Sequence, residues 1–236
     1  MRKIGRFFNT FIYALSFIVL VVTFAIALPI LWRDFYYFHI DLLNITEATG
    51  RSKSDLIFSF NELMDSLVFY KPFSEGVFSY SPSGMNHFLD CRILFTLDLL
   101  ALPISFILFL TYSFLIKFNV IKVYRIKGFS ILFFASFVPI FLLGALGIYA
   151  LIDVNSAYAF FHAVLFPGKE NWIFNPVTDP IINALPEQFF LDCGILIFGV
   201  MLIILLAVII FNIVRKVKQN SIIRYSKYDL KRRGVN

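Results

Sequence analysis

Four stretches of this chain, Phe11–Leu31, Leu94–Ile116, Phe129–Ile152 and Gly194–Val214, each approach or exceed the roughly 20 apolar residues that cross the hydrocarbon of a bilayer. Inside hydrocarbon the backbone must satisfy its own N–H and C=O groups, which a helix does within itself. The expected fold is therefore an all-α membrane protein with four transmembrane helices. The second stretch alone carries a formal charge, Asp98. The composition agrees: 59% of residues are hydrophobic, 31 are Phe, and the mean hydropathy is +0.81, against roughly 45–50% apolar residues in soluble domains.

Charge then orients the spans, because Lys and Arg collect on cytoplasmic flanks. Arg2, Lys3 and Arg6 precede the first span, and Lys117, Lys122, Arg125 and Lys127 join the second to the third with no acid among them. The tail, 215–236, holds eight bases against Asp229. By contrast, 32–93 has eight acids against five bases, and 153–188 has four acids against Lys169. Both termini are expected in the cytoplasm, with 32–93 and 153–188 forming a small extracytoplasmic cap. The net charge of +6 belongs mostly to the cytoplasmic flanks. The basic tail, ending Lys231-Arg232-Arg233, suits anionic lipid headgroups rather than nucleic acid. A cleaved signal peptide competes for the first span, with Ala25-Ile26-Ala27 as its cleavage site. The apolar run exceeds an ordinary signal core, so an uncleaved span is expected.

The first long loop has structure of its own. Leu56, Ile57, Phe60, Leu63, Met64, Leu67 and Val68 recur with the helical period. Ser52 and Ser54 are candidate N-caps, and Pro72 is a stop. Phe35–Leu43 reads as a second short helix, separated from the first by Gly50. The other loop is stiffened by Pro167, Pro176, Pro180 and Pro186, with Trp172 and Phe174 suited to the headgroup level.

Of the three histidines, His87 and His162 stand where a polar loop meets an apolar segment. Histidine titrates near neutrality and is the usual side chain for moving protons, so both are candidate catalytic groups. On a helix, Asp90 at i+3 lies within reach of the His87 imidazole and would hold its tautomer, while Asp98 shares that face about 16 Å away along the axis. Asp90 also suits an acid favoured by the helix dipole, and Asp98 a pairing or snorkelling residue. Cys91 at i+4 from His87 makes a weak Cys-His dyad signal. Cys91 and Cys193, each in a Phe-Leu-Asp-Cys string, read as two small buried thiols ahead of a disulfide. Hydrolase elbow, zincin, Walker and Cys-x-x-Cys signatures are absent. The spacing of His39, His87 and His162 matches no metal motif, and no metal is expected.

Taken in order, the helix after Thr49-Gly50, the His87-x-x-Asp90 junction, Phe161-His162, Trp172-x-Phe174-x-Pro176 with Asp179, and Phe189-Phe190-x-Asp192 resemble the lipoprotein intramolecular transacylases, four-span proteins of the bacterial cell membrane. The resemblance runs along nearly the whole chain. It departs at Phe88 and Cys91, where the family pattern has Met and Val, and at Ser81–Asn86, which lacks the charged residues the pattern places there. The resemblance implies transfer of the sn-2 acyl chain of a diacylglyceryl-cysteine lipoprotein to that cysteine's own α-amine. It implies His87 and His162 as the catalytic pair, an extracytoplasmic site and no cofactor. Asp90 would orient His87, and Trp172, Asp179 and Phe161 would shape the substrate site. The expected partners are diacylglyceryl-modified lipoproteins and membrane lipid; the oligomeric state is left open. Two other classes compete: a non-enzymatic lipid- or partner-binding protein docking through the amphipathic helix at Phe60 and Leu63, and a metal-dependent membrane hydrolase using all three histidines.

Overall fold

The computed structural model describes residues 2–232, with side chains from 3 to 223. The end of the basic tail, including the side chains of Arg224, Lys227, Lys231 and Arg232 and all of Arg233, lies outside the described residues. The helices are α1 (Arg2–Leu31), α2 (Arg33–Leu42), α3 (Ile45–Thr49), α4 (Lys53–Val68), α5 (Pro82–Lys117), α6 (Ile131–Ala135), α7 (Phe137–Ile152), α8 (Val154–Leu165), α9 (Ile181–Ala184) and α10 (Glu187–Arg232). A two-stranded hairpin, β1 (Arg125–Ile126) and β2 (Phe129–Ser130), lies between α5 and α6. Among the described residues four segments are long and apolar enough to cross a membrane: Lys3–Leu31, Pro82–Lys117, Ile131–Ile152 and Glu187–Ile223.

The first, second and fourth contain the stretches expected from sequence, and the third begins two residues inside its stretch, after β2, with two further differences of substance. The helix α5 starts at Pro82, twelve residues ahead of the apolar run that begins at Leu94, so His87 and Asp90 are helical residues rather than loop residues. Proline at the first helical position lacks only an N–H that would have no helical partner, and Ser81 caps the turn by accepting from Gly84 N–H at 3.0 Å. The third span is broken at Ser136, between α6 and α7. Pro139 has no N–H to give the carbonyl of Ala135 and its ring crowds that carbonyl. At the break, Ser136 donates both its N–H, at 3.0 Å, and its hydroxyl, at 2.8 Å, to Leu132 O.

The chain divides into two compact units. One comprises residues up to 21, 104–142 and from 201 on. There Tyr13 stacks on Phe109 at 5.4 Å, and Arg6 donates to Val123 O at 3.0 Å while lying over the Tyr124 ring. The hairpin turns at Lys127 and Gly128, both at positive φ, the backbone of a tight hairpin turn. Ser130 donates from both its N–H and its hydroxyl to Asn212 Oδ1.

The other unit comprises 22–103 and 143–200. Its core joins Tyr36, Ile40, Ile45, Leu56, Phe60, Leu63, Met64 and Leu67 to Phe78, Phe88, Ile181, Leu185 and Phe189. The amphipathic helix forms as α4, capped by Ser52, which accepts from Asp55 N–H at 3.1 Å. It ends at Val68, before Pro72, and α2 forms over Arg33–Leu42. Sequence periodicity did not reveal the single turn α3, which Gly50 ends in a left-handed conformation. Phe60 and Leu63 are 5% and 1% exposed. That corrects the docking alternative: the apolar face of α4 is consumed within its own unit, against Tyr36, whose hydroxyl donates to Ala184 O at 2.9 Å. Cys91 and Cys193 are both free thiols.

Candidate functional site

Three segments of the second unit converge on one spot. From α5 comes His87. From α8 comes His162, on a helix started by Asp153, which accepts from Ser156 N–H at 3.0 Å, and stopped at Phe166 ahead of Pro167. The positions 158, 162 and 166 recur every four residues and so share the inward face of α8. The third segment, 169–179, folds over both histidines. Its Asp179 accepts from Ser81 N–H at 2.7 Å and from the Thr178 hydroxyl at 2.7 Å. A side chain at Gly84 would collide with the Asp179 carboxylate and approach Phe174 to 3.0 Å, so the missing Cβ lets this segment lie against the first turn of α5.

The two imidazoles meet. Their ring centroids are 6.0 Å apart, and each residue is only 6% exposed. Phe166 lies 4.9 Å from His87 and 5.9 Å from His162, while Phe174 meets His87 edge-on at 5.4 Å. Trp172 stacks on His162 at 4.6 Å and donates its indole N–H to Lys169 O at 3.1 Å. Phe161, itself exposed, touches His162 edge-on at 5.5 Å.

His162 Nδ1 lies 2.8 Å from the carbonyl of Tyr158. A carbonyl only accepts, so Nδ1 carries the hydrogen and Nε2 keeps a lone pair for chemistry. Burial lowers the His162 pKa below the usual imidazole value, against the opposing pull of that carbonyl bond. Burial thus favours the neutral ring, whose free Nε2 can take a proton. Burial likewise raises the Tyr158 phenol, with smaller contributions from Glu187 and Cys91. On His87, Nε2 lies 3.5 Å from Cys91 Sγ, and Nδ1 is buried with no hydrogen-bond partner.

The supporting residues stand elsewhere than expected. Asp90 does not bond the imidazole one turn above it. Its Oδ1 pairs with Lys169 Nζ, and its Oδ2 accepts from Asn171 Nδ2 at 2.9 Å. Asp179 is 3% exposed with both oxygens engaged; the bonds from Ser81 and Thr178 hold its carboxyl low against burial, which pushes it up. It therefore pins the covering segment to α5. Asp98 remains half-buried on α5, its Oδ2 without a hydrogen-bond partner.

His39 takes no part in this constellation. Its Nδ1 lies 2.6 Å from Phe35 O and its Nε2 3.1 Å from Asp192 Oδ2. With both nitrogens committed there, the three-histidine ligand set of the hydrolase alternative is not assembled, and among the described residues no three His, Cys, Asp or Glu side chains group as metal ligands.

A family model described as "Lipoprotein intramolecular transacylase Lit" matches residues 11–190. The chain belongs to that transacylase family. Among solved structures, the membrane-integral lipoprotein intramolecular transacylase Lit from Bacillus cereus superposes with a TM-score of 0.76 at 22% identity, covering 89% of this chain and 96% of that one. Variants of the same Bacillus cereus protein, one with a histidine changed to arginine and one with it changed to alanine, each superpose at 0.70. Identity this low shows a shared fold. None of the curated proteins compared matches by sequence. As a member of the transacylase family with four apolar helices, the chain is a membrane protein whose fold is that of a membrane-integral acyl-transferring enzyme.

Residues that sequence reasoning passed over are Tyr158, Phe166, Lys169 and Asn171. The first two were readable as the i, i+4, i+8 partners of His162 once Asp153 and Pro167 are taken as the limits of a helix. Lys169 and Asn171 reach Asp90 across separations of 79 and 81 residues, for which a single sequence holds no signal.

Proposed function

We propose that this protein moves the sn-2 acyl chain of a diacylglyceryl-cysteine lipoprotein to the α-amine of the same cysteine, using His87 and His162 on the extracytoplasmic side of the bacterial cell membrane. The observation that carries the reading is the buried histidine pair, 6.0 Å apart within an aromatic enclosure. Family membership supplies the reaction class.

The chemistry balances over two protons. An α-amine has a pKa of about 7.7–8.0, so the substrate arrives partly as ammonium. His162 Nε2, neutral through burial, takes the first proton and becomes an imidazolium beside the ester. The freed amine attacks the sn-2 carbonyl carbon, forming the C–N bond, and His87 takes the second nitrogen proton as the tetrahedral centre forms. The imidazolium of His162 stabilises the oxyanion by a hydrogen bond, without giving up its proton, and then transfers that one proton to the sn-2 oxygen as the carbonyl re-forms and the C–O bond breaks. The products are an amide, a glyceryl hydroxyl, and one proton that His87 returns to solvent. Ester to amide runs downhill, so the balance closes without a cofactor.

Positioning carries much of the rate. Acid–base help contributes about 10²–10⁴, whereas holding amine and ester in one orientation supplies an effective molarity up to about 10⁵–10⁸ M. Trp172, Phe161, Phe166 and Phe174 would hold the glyceryl unit between the imidazoles, with the acyl chains lying in the bilayer.

The test is conversion of a synthetic diacylglyceryl lipopeptide by purified protein in lipid, followed by mass spectrometry after mild alkali. The expected product keeps one acyl chain as an alkali-stable amide, and His87→Ala and His162→Ala each abolish it. Full turnover in both variants refutes the proposal.

A further inference from the structure

Two buried polar atoms beside the histidine pair have no hydrogen-bond partner: His87 Nδ1 and Asn171 Oδ1. They are complementary, because an imidazole nitrogen can carry hydrogen and an amide oxygen can only accept. They are also neighbours, the Asn171 side chain standing within interaction range of the His87 ring.

The orientation of the Asn171 amide is fixed from its other end. Its Nδ2 donates to Asp90 Oδ2 at 2.9 Å, and an ionised carboxylate accepts only, so nitrogen must face Asp90. Asp90 is itself held by Lys169, which pairs with Oδ1. The amide oxygen is thereby directed away from Asp90, toward the imidazole. A bond from His87 Nδ1–H to Asn171 Oδ1 would satisfy both buried atoms at once. Leaving both buried groups unsatisfied costs free energy, which favours that bond.

We propose that Asn171 is the positioning residue of His87: it relays the orientation of Asp90 to the imidazole, fixes the tautomer with hydrogen on Nδ1, and leaves the Nε2 lone pair as the proton acceptor. That lone pair faces the side of the ring on which Cys91 Sγ stands 3.5 Å away. The arrangement rests on the acyl-transfer reading for its catalytic meaning, though not for its geometry. It also gives one short segment control of both histidines. Asn171 sets His87, the adjacent Trp172 stacks on His162 at 4.6 Å, and the Trp172 indole bonds back to the Lys169 carbonyl at 3.1 Å. The two rings are thus locked by the same stretch of chain, and His162 has the same tautomer for a parallel reason, its Nδ1 bonded to a backbone carbonyl. Asp90 acts on His87 through Asn171 rather than by contact.

The experiment uses full-length protein in lipid nanodiscs with ¹⁵N-histidine. Only three histidines are present, so His39→Gln and His162→Gln assign the His87 signals. In the unaltered protein His87 is expected as the Nδ1–H tautomer; an Nε2–H tautomer overturns the proposal. In Asn171→Leu, the Nδ1–H form is expected to lose its dominance, with kcat on a diacylglyceryl lipopeptide falling at least about tenfold within the range a general base supplies and KM little changed. An unchanged tautomer with unchanged kcat overturns it.

The exchange Asp90→Asn with Asn171→Asp separates positioning from packing. An amide at position 90 then donates to a carboxylate at 171, whose second oxygen accepts from the imidazole. The double variant is expected to regain the Nδ1–H tautomer and most of the turnover that either single variant loses. No recovery beyond the worse single variant overturns the relay, and the exchange keeps the test decisive where Asn171→Leu fails to fold. If the unaltered protein shows no turnover while the His87 tautomer still follows residue 171, the acyl-transfer reading fails and the positioning role stands.

Discussion

Glu75 is 1% exposed, and neither of its carboxylate oxygens has a hydrogen-bond partner. Burial, with a smaller push from the Asp179 carboxylate, raises its pKa from 4.5 to about 8. The folded protein therefore holds a protonated Glu75 at pH 7, while the unfolded chain ionises near the ordinary glutamate value. A pKa raised on folding gives a contribution to stability that is full below the unfolded pKa and is lost as pH rises toward the folded one. Here the window runs from about pH 4.5 to about 8. At about 1.4 kcal/mol per unit, a shift of this size sets an upper bound near 5 kcal/mol. Relaxation and water penetration around a buried charge reduce it to about 2–3 kcal/mol. Glu75→Gln keeps the shape and removes the titration. In lipid or detergent, the thermal midpoint of the unaltered protein should fall relative to the variant between pH 5 and pH 9, by about 4–12 °C at 2–4 °C per kcal/mol. Tryptophan fluorescence follows the transition, and taking the difference between the two proteins cancels the other titrating groups. Parallel pH profiles for the two proteins would falsify the assignment of a neutral buried Glu75.

Other outcomes follow from local geometry. Ser52→Ala removes the cap of α4, an effect of about 1 kcal/mol, and should lower the unfolding midpoint without altering turnover; an unchanged midpoint contradicts the cap. Gly84→Ala places a methyl group against the Asp179 carboxylate and Phe174, so turnover should drop at least about tenfold through displaced groups around the site; wild-type turnover contradicts the close approach. Because burial lowers its pKa, an NMR titration of His162 should give a midpoint below 6.5, and one at or above that value removes the basis for a neutral proton acceptor.

The hydropathy pattern made the four spans readable, and the helical period with Ser52 made α4 readable, because both depend on residues close together in the chain. Two elements escaped for physical reasons. The third span ends at Ile152, where its apolar stretch was expected to end, but the helix that follows, α8, was read as part of a loop; Asp153, as its cap, is the one local sign. The early start of α5 was written in Ser81-Pro82, but polar composition before Leu94 masked it. At the site, the two histidines were legible from residue type and from the family pattern. Asp90 was read as bonding His87 because both lie on one helix. Its actual partners, Lys169 and Asn171, come from a segment brought back by the fold. His39 already stood apart from the catalytic candidates in the sequence, but its partners, Phe35 and Asp192, depend on the packing of α2 beside α10 and were not legible there.

The central claim is an intramolecular acyl shift driven by the His87 and His162 pair. The most direct measurement presents the purified protein with a lipopeptide whose sn-2 acyl chain alone is deuterated, mixed with an excess of unlabelled lipopeptide, and reads the amide-linked chain by mass spectrometry. The account predicts that deuterium appears on the α-amine of the molecules that carried it and nowhere else, and that either histidine variant abolishes the transfer. An amide carrying label on molecules that began unlabelled, or a labelled free fatty acid in place of the amide, contradicts it.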